Sequence, residues 1–314
     1  MEYVWIALAV LGALLQAIRT AAQRDLNTHL STLATTYVRS LFGLPILAAY
    51  LAVILLLTGE GMPALTASYL VYTLIGAMTQ VVATILLIRM FTLRNFGVGT
   101  MLTKVDIVIT AILGALFFSE TVTLGGMAAL LVVMAGVVLM SLERTQRVTQ
   151  AARAPAIGKS TAPLAAFFAD PATWVALGCA LAFALSFLTL REATLVIGDG
   201  SFMWRGAWTV LLTILLQTVI VGAWLAWREP GLIGRMRPHL SLSTFIGATS
   251  AVGSICWFTA FALQNASYVR AVGQIEVVFT LLVSALYYRE RISPSEYAGI
   301  GLTVVGVLLF RLIA

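Results

Sequence analysis

Four polar side chains that could bind a charged substrate or carry protons interrupt two apolar stretches of the sequence. They form two pairs with equal spacing, Lys104 with Asp106 and Gln274 with Glu276. An ionisable residue at the centre of a membrane costs about 3 kcal/mol, so such residues mark substrate or proton pathways. The pattern predicts a central polar site, in which protons are the candidate coupling ion. The alternative is that Lys104 pairs with a carboxylate across helices and only fixes packing.

Two arginines and three tryptophans are further candidates for substrate binding. Arg39 and Arg205 lie inside apolar stretches, ~4 to 11 Å from a surface at the helical rise per residue, and could instead reach the interface. Trp204 and Trp208 are one helical turn apart, and Trp257 lies deep in its own stretch. These aromatic rings could form a substrate cage or simply pack.

Other residue types exclude several functions. Cys179 and Cys256 lie in apolar runs, and His29 and His239 lie in polar connections, so we expect no disulfide, metal site or cofactor. We find no nucleophile–base set, so no catalytic residue and no enzymatic activity are expected. Arg270 is close to an interface, and we expect a structural role for it.

The elements that must position these residues follow from composition. Of 314 residues, 61% are hydrophobic and 10% charged, whereas soluble domains have about 45–50% and about 25%. Helical spans need roughly 20 apolar residues, so we predict an all-α integral membrane protein. Ten segments have this length: 3–22, 32–57, 67–93, 96–118, 124–142, 172–190, 202–227, 240–264, 267–288 and 295–313. Ser293 and Glu296 predict a capping box before the last.

Charge predicts the orientation of these segments. The net charge is +6, and the basic residues between segments concentrate in the loops that follow odd-numbered segments. Such loops are cytoplasmic by the positive-inside rule, which explains the charge without nucleic acid as a partner. Both termini are then extracytoplasmic. We expect a multi-pass protein of the plasma membrane, specifically a bacterial inner membrane.

The chain repeats itself about a polar connection. A shift of 170 residues matches the following pairs: Asn95 with Asn265, Asp106 with Glu276, Thr110 with Thr280, Glu120 with Glu290, and Gly136 with Gly306. With a shift of 166, Gly12 meets Gly178 and Arg39 meets Arg205. Because each copy has five segments, the second must cross the membrane in the opposite sense. We predict two inverted five-helix repeats, residues 1–142 and 171–314, joined by a cytoplasmic linker, residues 143–170.

These repeats resemble the two copies of the EamA domain of the drug/metabolite transporter superfamily. The pattern is a Glu at the end of the fourth span, a small residue about nine positions later and a Gly about sixteen later. It is carried by the following residues: Glu120, Ala129 and Gly136 in one copy, and Glu290, Gly299 and Gly306 in the other. The family often has Pro after the Asp106 and Glu276 positions, where this chain has Ile107 and Val277. The resemblance implies a ten-helix membrane carrier.

The predicted function is a secondary transporter that moves a small polar metabolite by alternating access. The family resemblance points to export of an amino acid or related compound. A flippase for a lipid-linked or amphipathic molecule is the alternative, which a lateral, lipid-open groove would favour. The partners expected are a small-molecule substrate and the lipid bilayer.

Overall fold

The computed structural model of the chain describes residues 3–93, 104–152, 171–287 and 292–313. Over these ranges the regular elements are helices, and no strand occurs. They are α1 (Val4–Leu26), α2 (Thr32–Thr58), α3 (Ala67–Leu93), α4 (Asp106–Phe117), α5 (Leu124–Ala152), α6 (Pro171–Val196), α7 (Phe202–Arg228), α8 (Leu232–Met236), α9 (Leu240–Leu263), α10 (Ala266–Gly273), α11 (Ile275–Tyr287) and α12 (Pro294–Ile313). The predicted all-α class is confirmed for the described ranges.

Many of these helices can cross a membrane. Among the described residues, seven segments are long and apolar enough: Val4–Gln23, Thr32–Thr58, Ala67–Leu87, Thr173–Val196, Phe202–Arg228, Leu232–Leu263 and Ala266–Val283. Three shorter helices are also apolar: Asp106–Phe117, Leu124–Met140 and Pro294–Phe310. Large apolar side chains remain exposed on several of them, including Leu56 at 85% and Leu124 at 93%. Exposed apolar area of this kind suits lipid contact rather than water.

Local sequence sets where several helices begin and end. Ser31 and Ser201 cap α2 and α7, accepting hydrogen bonds from Ala34 N at 3.2 Å and Trp204 N at 3.3 Å. The predicted capping box before α12 is confirmed. Ser293 N donates to the Glu296 carboxylate at 2.8 Å, and Glu296 N donates to Ser293 Oγ at 3.2 Å. Each cap satisfies amide donors that the first helical turn leaves unpaired.

The fifth predicted segment is longer than expected. Helix α5 continues ten residues beyond Leu142, into the segment assigned as linker, and ends at Ala152. Residues 143–152 include Glu, Arg, Gln and Ala, which favour helix, and no proline before Pro155 stops it. The rest of the predicted linker, residues 153–170, lies outside the described residues, as do residues 94–103 and 288–291.

The described residues divide into two compact units. The first comprises Met1–Met78 and Ser186–Glu290, and the second comprises Thr79–Leu185 and Arg291–Ala314. In the first unit α1 packs against α9, α10 and α11, while α2 packs against α7 and α9. In the second unit α5 packs against α12. Each unit therefore draws helices from both predicted repeats.

Helices α5 and α12 contact each other through small residues. A Cβ added at Gly136 would lie 2.4 Å from Thr303 Oγ1 and 2.7 Å from the Gly299 carbonyl oxygen, so the backbones touch, as small residues allow. Three facing pairs follow in order along the helices: Met140 with Gly299, Gly136 with Thr303, and Val133 with Gly306. Residue numbers rise along α5 as they fall along α12, so the two helices are antiparallel.

A second pair of contacts follows the repeat. In the first unit Gly12 lies against Cys256, and in the second unit Gly178 lies against Leu86, with the added Cβ atoms 3.4 Å and 3.6 Å from those side chains. Gly178 is the repeat counterpart of Gly12, and Cys256 follows Leu86 by the 170-residue shift. The two copies thus use the same helix contact.

Candidate functional site

The ninth predicted segment is not one continuous helix. Helix α10 ends at Gly273 and α11 begins at Ile275, with Gln274 between them. The predicted segment 267–288 is thus interrupted at one residue, although it has no proline, and Ala266–Val283 is long and apolar enough to cross a membrane. A Cβ on Gly273 would lie 2.3 Å from the ring of Trp257, so the packing admits only glycine, a poor helix former.

Both predicted carboxylates stand in the first turn of a helix. Glu276 is the second residue of α11, and Asp106 is the first residue of α4, after a turn at Lys104 and Val105. A helix N-terminus carries partial positive charge and free amide donors, which favour a carboxylate or an anionic ligand nearby. Asp106 and Glu276, which the repeat aligns, therefore both lie in the first turn of a helix.

Glu276 has partners that the sequence did not indicate. Gln16 of α1 donates from Nε2 to the Glu276 carboxylate at 2.8 Å. Arg19, one turn further along α1, interacts electrostatically with the same carboxylate. Helix α1 therefore supplies both of these partners of Glu276.

Asp106 and Lys104 lie in the second unit. Asp106 is buried, with 2% exposure, and Lys104 is partly exposed. Both charges act on the thiol of Cys179, which itself donates to the Ala83 carbonyl at 3.3 Å. Lys104, Asp106 and Cys179 therefore form one cluster.

Arg19 and Arg39 form a cationic pair in the first unit. The two guanidinium groups act on each other electrostatically. Arg39 donates to the side-chain oxygen of Gln217 at 3.5 Å, and Arg19 donates to Ser250 Oγ at 3.4 Å. The Nε atoms of both arginines are buried without a hydrogen-bond partner. Arg39 thus points into the protein rather than reaching the interface.

A second polar group lies near the start of α7. Arg205 donates to the Ala262 carbonyl at 3.4 Å, and its Nε is buried without a partner. The indole Nε1 of Trp208 is also buried without a hydrogen-bond partner. Both side chains therefore keep hydrogen-bond donors available inside the first unit.

Trp204 has a different environment from Trp208. It is 6% exposed and packs in an apolar cluster with Leu51, Ile54 and Tyr69. Its Nε1 donates to the Gly61 carbonyl at 2.9 Å. The indole thus joins α7 to the α2–α3 loop, and its donor is occupied.

The same loop is held by Glu60, whose carboxylate accepts hydrogen bonds from the backbone N and the hydroxyl of Ser201. We call this Glu60–Ser201 contact, together with the Trp204–Gly61 bond, the loop clasp. The backbone hydrogen bond from Ser201 lowers the pKa of the Glu60 carboxyl from its ordinary value, and this outweighs the opposing effect of desolvation.

Arg270 is a functional candidate that the sequence reasoning set aside. It is 7% exposed, and its guanidinium carbon lies 4.1 Å from the centroid of Phe187 and 5.6 Å from that of Trp257. Trp257 also stacks on Phe261, with centroids 6.3 Å apart. Gln274, four residues after Arg270, is also buried, and its side-chain oxygen has no hydrogen-bond partner. Trp257 is thus a cation–π partner.

The structure places Arg39 and Glu276, each predicted as a site residue, in one polar network with Gln16, Arg19 and Gln217, which were not predicted. Gln16 and Arg19 are three residues apart and share one face of α1. A polar pair on one face of an apolar helix was the signal that could have identified them. No group of three His, Cys, Asp or Glu residues suits a metal ion among the described residues.

Comparisons with known proteins agree with this architecture. The chain matches the EamA-like transporter family twice, over residues 3–142 and residues 170–312. One solved structure, described only as "Crystal structure of protein", has a TM-score of 0.66 at 16% identity and covers 100% of this chain and 98% of the other. The curated proteins contain no match. The two family matches take in nearly the whole sequence, and the chain belongs to the EamA-like transporter family, whose members are multi-pass membrane transporters of the drug/metabolite type.

Proposed function

We propose that this protein is a secondary transporter that exports a small polar metabolite, an amino acid or related compound, by alternating access. The observation that carries the proposal is the polar network of the first unit. Glu276, Gln16, Arg19, Arg39 and Gln217 come from four membrane-spanning helices. Burying such groups is costly, and a polar ligand is the usual reason for retaining them.

The architecture proposed is ten membrane-spanning helices in two inverted repeats, residues 1–142 and 171–314, joined by a cytoplasmic linker. Two family matches of similar length support this division. The antiparallel contact of α5 with its counterpart α12 supports the inversion. Inverted repeats exchange two states by rocking about a central site, which is the usual basis of alternating access.

We propose roles for the predicted site residues from their positions. Asp106 and Glu276 stand at equivalent helix starts, where a carboxylate can bind a substrate amine or exchange a proton. Lys104, Gln274, Arg205, Trp208 and Trp257 are proposed to line the substrate path. Trp204 is proposed to hold the loop clasp instead, because its indole donor is already occupied.

The test is a metabolite comparison in bacterial cells that express the chain or its Glu276→Gln variant from the same vector. We expect at least one small polar metabolite to accumulate in the medium with the wild-type chain only. Asp199→Asn is the matched control, because Asp199 is exposed and outside the network. This control should export like the wild type.

The same variants then test the central site in reconstituted vesicles with the metabolite found. Asp106→Asn and Glu276→Gln should each lower the initial transport rate, and Glu276→Gln should also remove its pH dependence. Wild-type rates in both variants would show that the two carboxylates only support packing. If the medium contained the same metabolites at the same levels with and without the protein, the export proposal would be contradicted.

A further inference from the structure

Arg39 is a charged side chain inside the first unit that lacks an anionic partner. Among the described residues of that unit, no carboxylate oxygen lies within 4.0 Å of its guanidinium nitrogens, the distance limit for an ion pair. Its one side-chain hydrogen bond, to Gln217, is long at 3.5 Å. Its Nε is buried without a partner, and its electrostatic neighbour is another cation, Arg19. The arrangement is repulsive unless something negative lies between the two guanidinium groups.

The carboxylate of Glu276 does not remove this excess of positive charge. It interacts with Arg19 and accepts a hydrogen bond from Gln16, so it balances one of the two cations. One uncompensated guanidinium remains in a low-dielectric environment. Such a charge is costly unless it is paired and hydrogen-bonded.

Both arginines lie at the same depth. Arg19 is seven residues before the end of α1, and Arg39 is seven residues after the start of α2, which places each ~10 Å from the short connection between these helices. Ser250 of α9 and Gln217 of α7 lie within hydrogen-bond distance of the pair. Side chains of four helices thus contribute to this polar region, which carries a net positive charge.

We propose that Arg19 and Arg39 together bind an oxyanion group of the transported solute, a carboxylate or a phosphate. Planar guanidinium groups match such groups with paired, charge-assisted hydrogen bonds. Ser250 adds a hydroxyl donor and the amide of Gln217 adds a second contact. This inference rests on the proposed transport function and narrows its substrate to small organic anions or zwitterions.

The first experiment measures binding without transport. The full chain in a neutral detergent is unfolded by heat at constant ionic strength, with glutamate as a carboxylate probe and with glycerol 3-phosphate and glycerol as a matched pair. A ligand that binds the folded state raises the melting temperature as its concentration increases. We expect a rise with glutamate, with glycerol 3-phosphate or with both, and none with glycerol.

Substitutions assign the binding to the pair. Arg19→Gln and Arg39→Gln should each weaken the affinity of the active anion about 10- to 100-fold, the value of a charge-assisted hydrogen bond. Arg39→Lys should recover part of it. Arg237→Gln removes an exposed cation in the α8–α9 connection, outside the Arg19–Arg39 pair, and should leave the affinity unchanged. Circular dichroism of each variant shows whether the helices have formed.

A lipid headgroup could supply the same phosphate chemistry, so phosphatidylglycerol in mixed micelles is a further probe. If only this lipid raises the melting temperature, the soluble-anion proposal is overturned. It is also overturned if the soluble anions act equally on Arg39→Gln and the wild type.

Transport separates this inference from the proposed function. Export of a neutral or cationic metabolite that is unaffected by Arg39→Gln would leave the transporter in place and refute the anion site. Anion binding that depends on Arg39, without transport in vesicles, would support the anion site and refute the proposed transport function.

Discussion

Glu60 stands outside the membrane-spanning helices, yet its carboxylate binds two groups of Ser201 at the start of α7. The loop between α2 and α3 is thereby held against the start of α7. At the scale of single residues, an acid on a loop contacts the start of the same helix that carries Arg205 and Trp208, two partly buried side chains.

This contact predicts a pH-dependent stability. Because the pKa of Glu60 is lower in the folded chain than its ordinary value of 4.5, the folded state favours the ionised form. The stabilisation is therefore fully present above pH 4.5 and is lost as the pH falls through the folded pKa. Glu60→Ala should lower the melting temperature at pH 7, and the difference from wild type should shrink on acidification.

Hydrogen exchange provides the second readout for this prediction. The loop 59–66 should exchange faster in Glu60→Ala at neutral pH. Asp199→Ala is the control, because Asp199 is a nearby, exposed acid. Unchanged melting and exchange in Glu60→Ala at pH 7 would show that the loop is held by Trp204 alone.

At the scale of elements, the contact between α5 and α12 depends on the absence of a side chain. Gly136→Ala places a methyl group 2.4 Å from Thr303 Oγ1 and 2.7 Å from a backbone oxygen. Separating the helices should lower the free energy of unfolding by about 1–3 kcal/mol, measured by thermal unfolding in detergent.

Gly301 is the matched control for this prediction. It lies in α12, and a Cβ there would have no neighbour within 4 Å. Gly301→Ala should keep or raise the melting temperature, since alanine favours a helix by about 1 kcal/mol over glycine. If both variants lowered the melting temperature equally, the loss of stability in Gly136→Ala could not be assigned to the contact between α5 and α12.

The sequence could predict elements whose causes are local. Helix starts at Ser31, Ser201 and Ser293 depend on residues three positions apart, and apolar length marks the spans. The break at Gln274 could not be predicted, because it depends on Gly273 touching Trp257 of another helix. The Arg39–Gln217 contact joins residues 178 positions apart. Neither this contact nor the net charge of the site could therefore be predicted from the sequence.

At the scale of the whole molecule, the predicted orientation assigns each loop to one side of the membrane. A cysteine at Ser160, which lies outside the described residues, should not react with an impermeant thiol reagent in intact cells. One at Asp199 should be labelled. Cys179 and Cys256 are buried, so the unmodified chain should give little background. Labelling at Ser160 alone would invert the topology.

The antiparallel pairing of α5 with α12 also bears on how the two copies could diverge. Gly136 faces Thr303, and Val133, the counterpart of Thr303, faces Gly306, the counterpart of Gly136. Because the backbones touch, a larger residue on one helix needs a smaller one at the facing position. We therefore expect a substitution on one helix of this contact to be tolerated only with a compensating substitution on the other, so that the two positions change together.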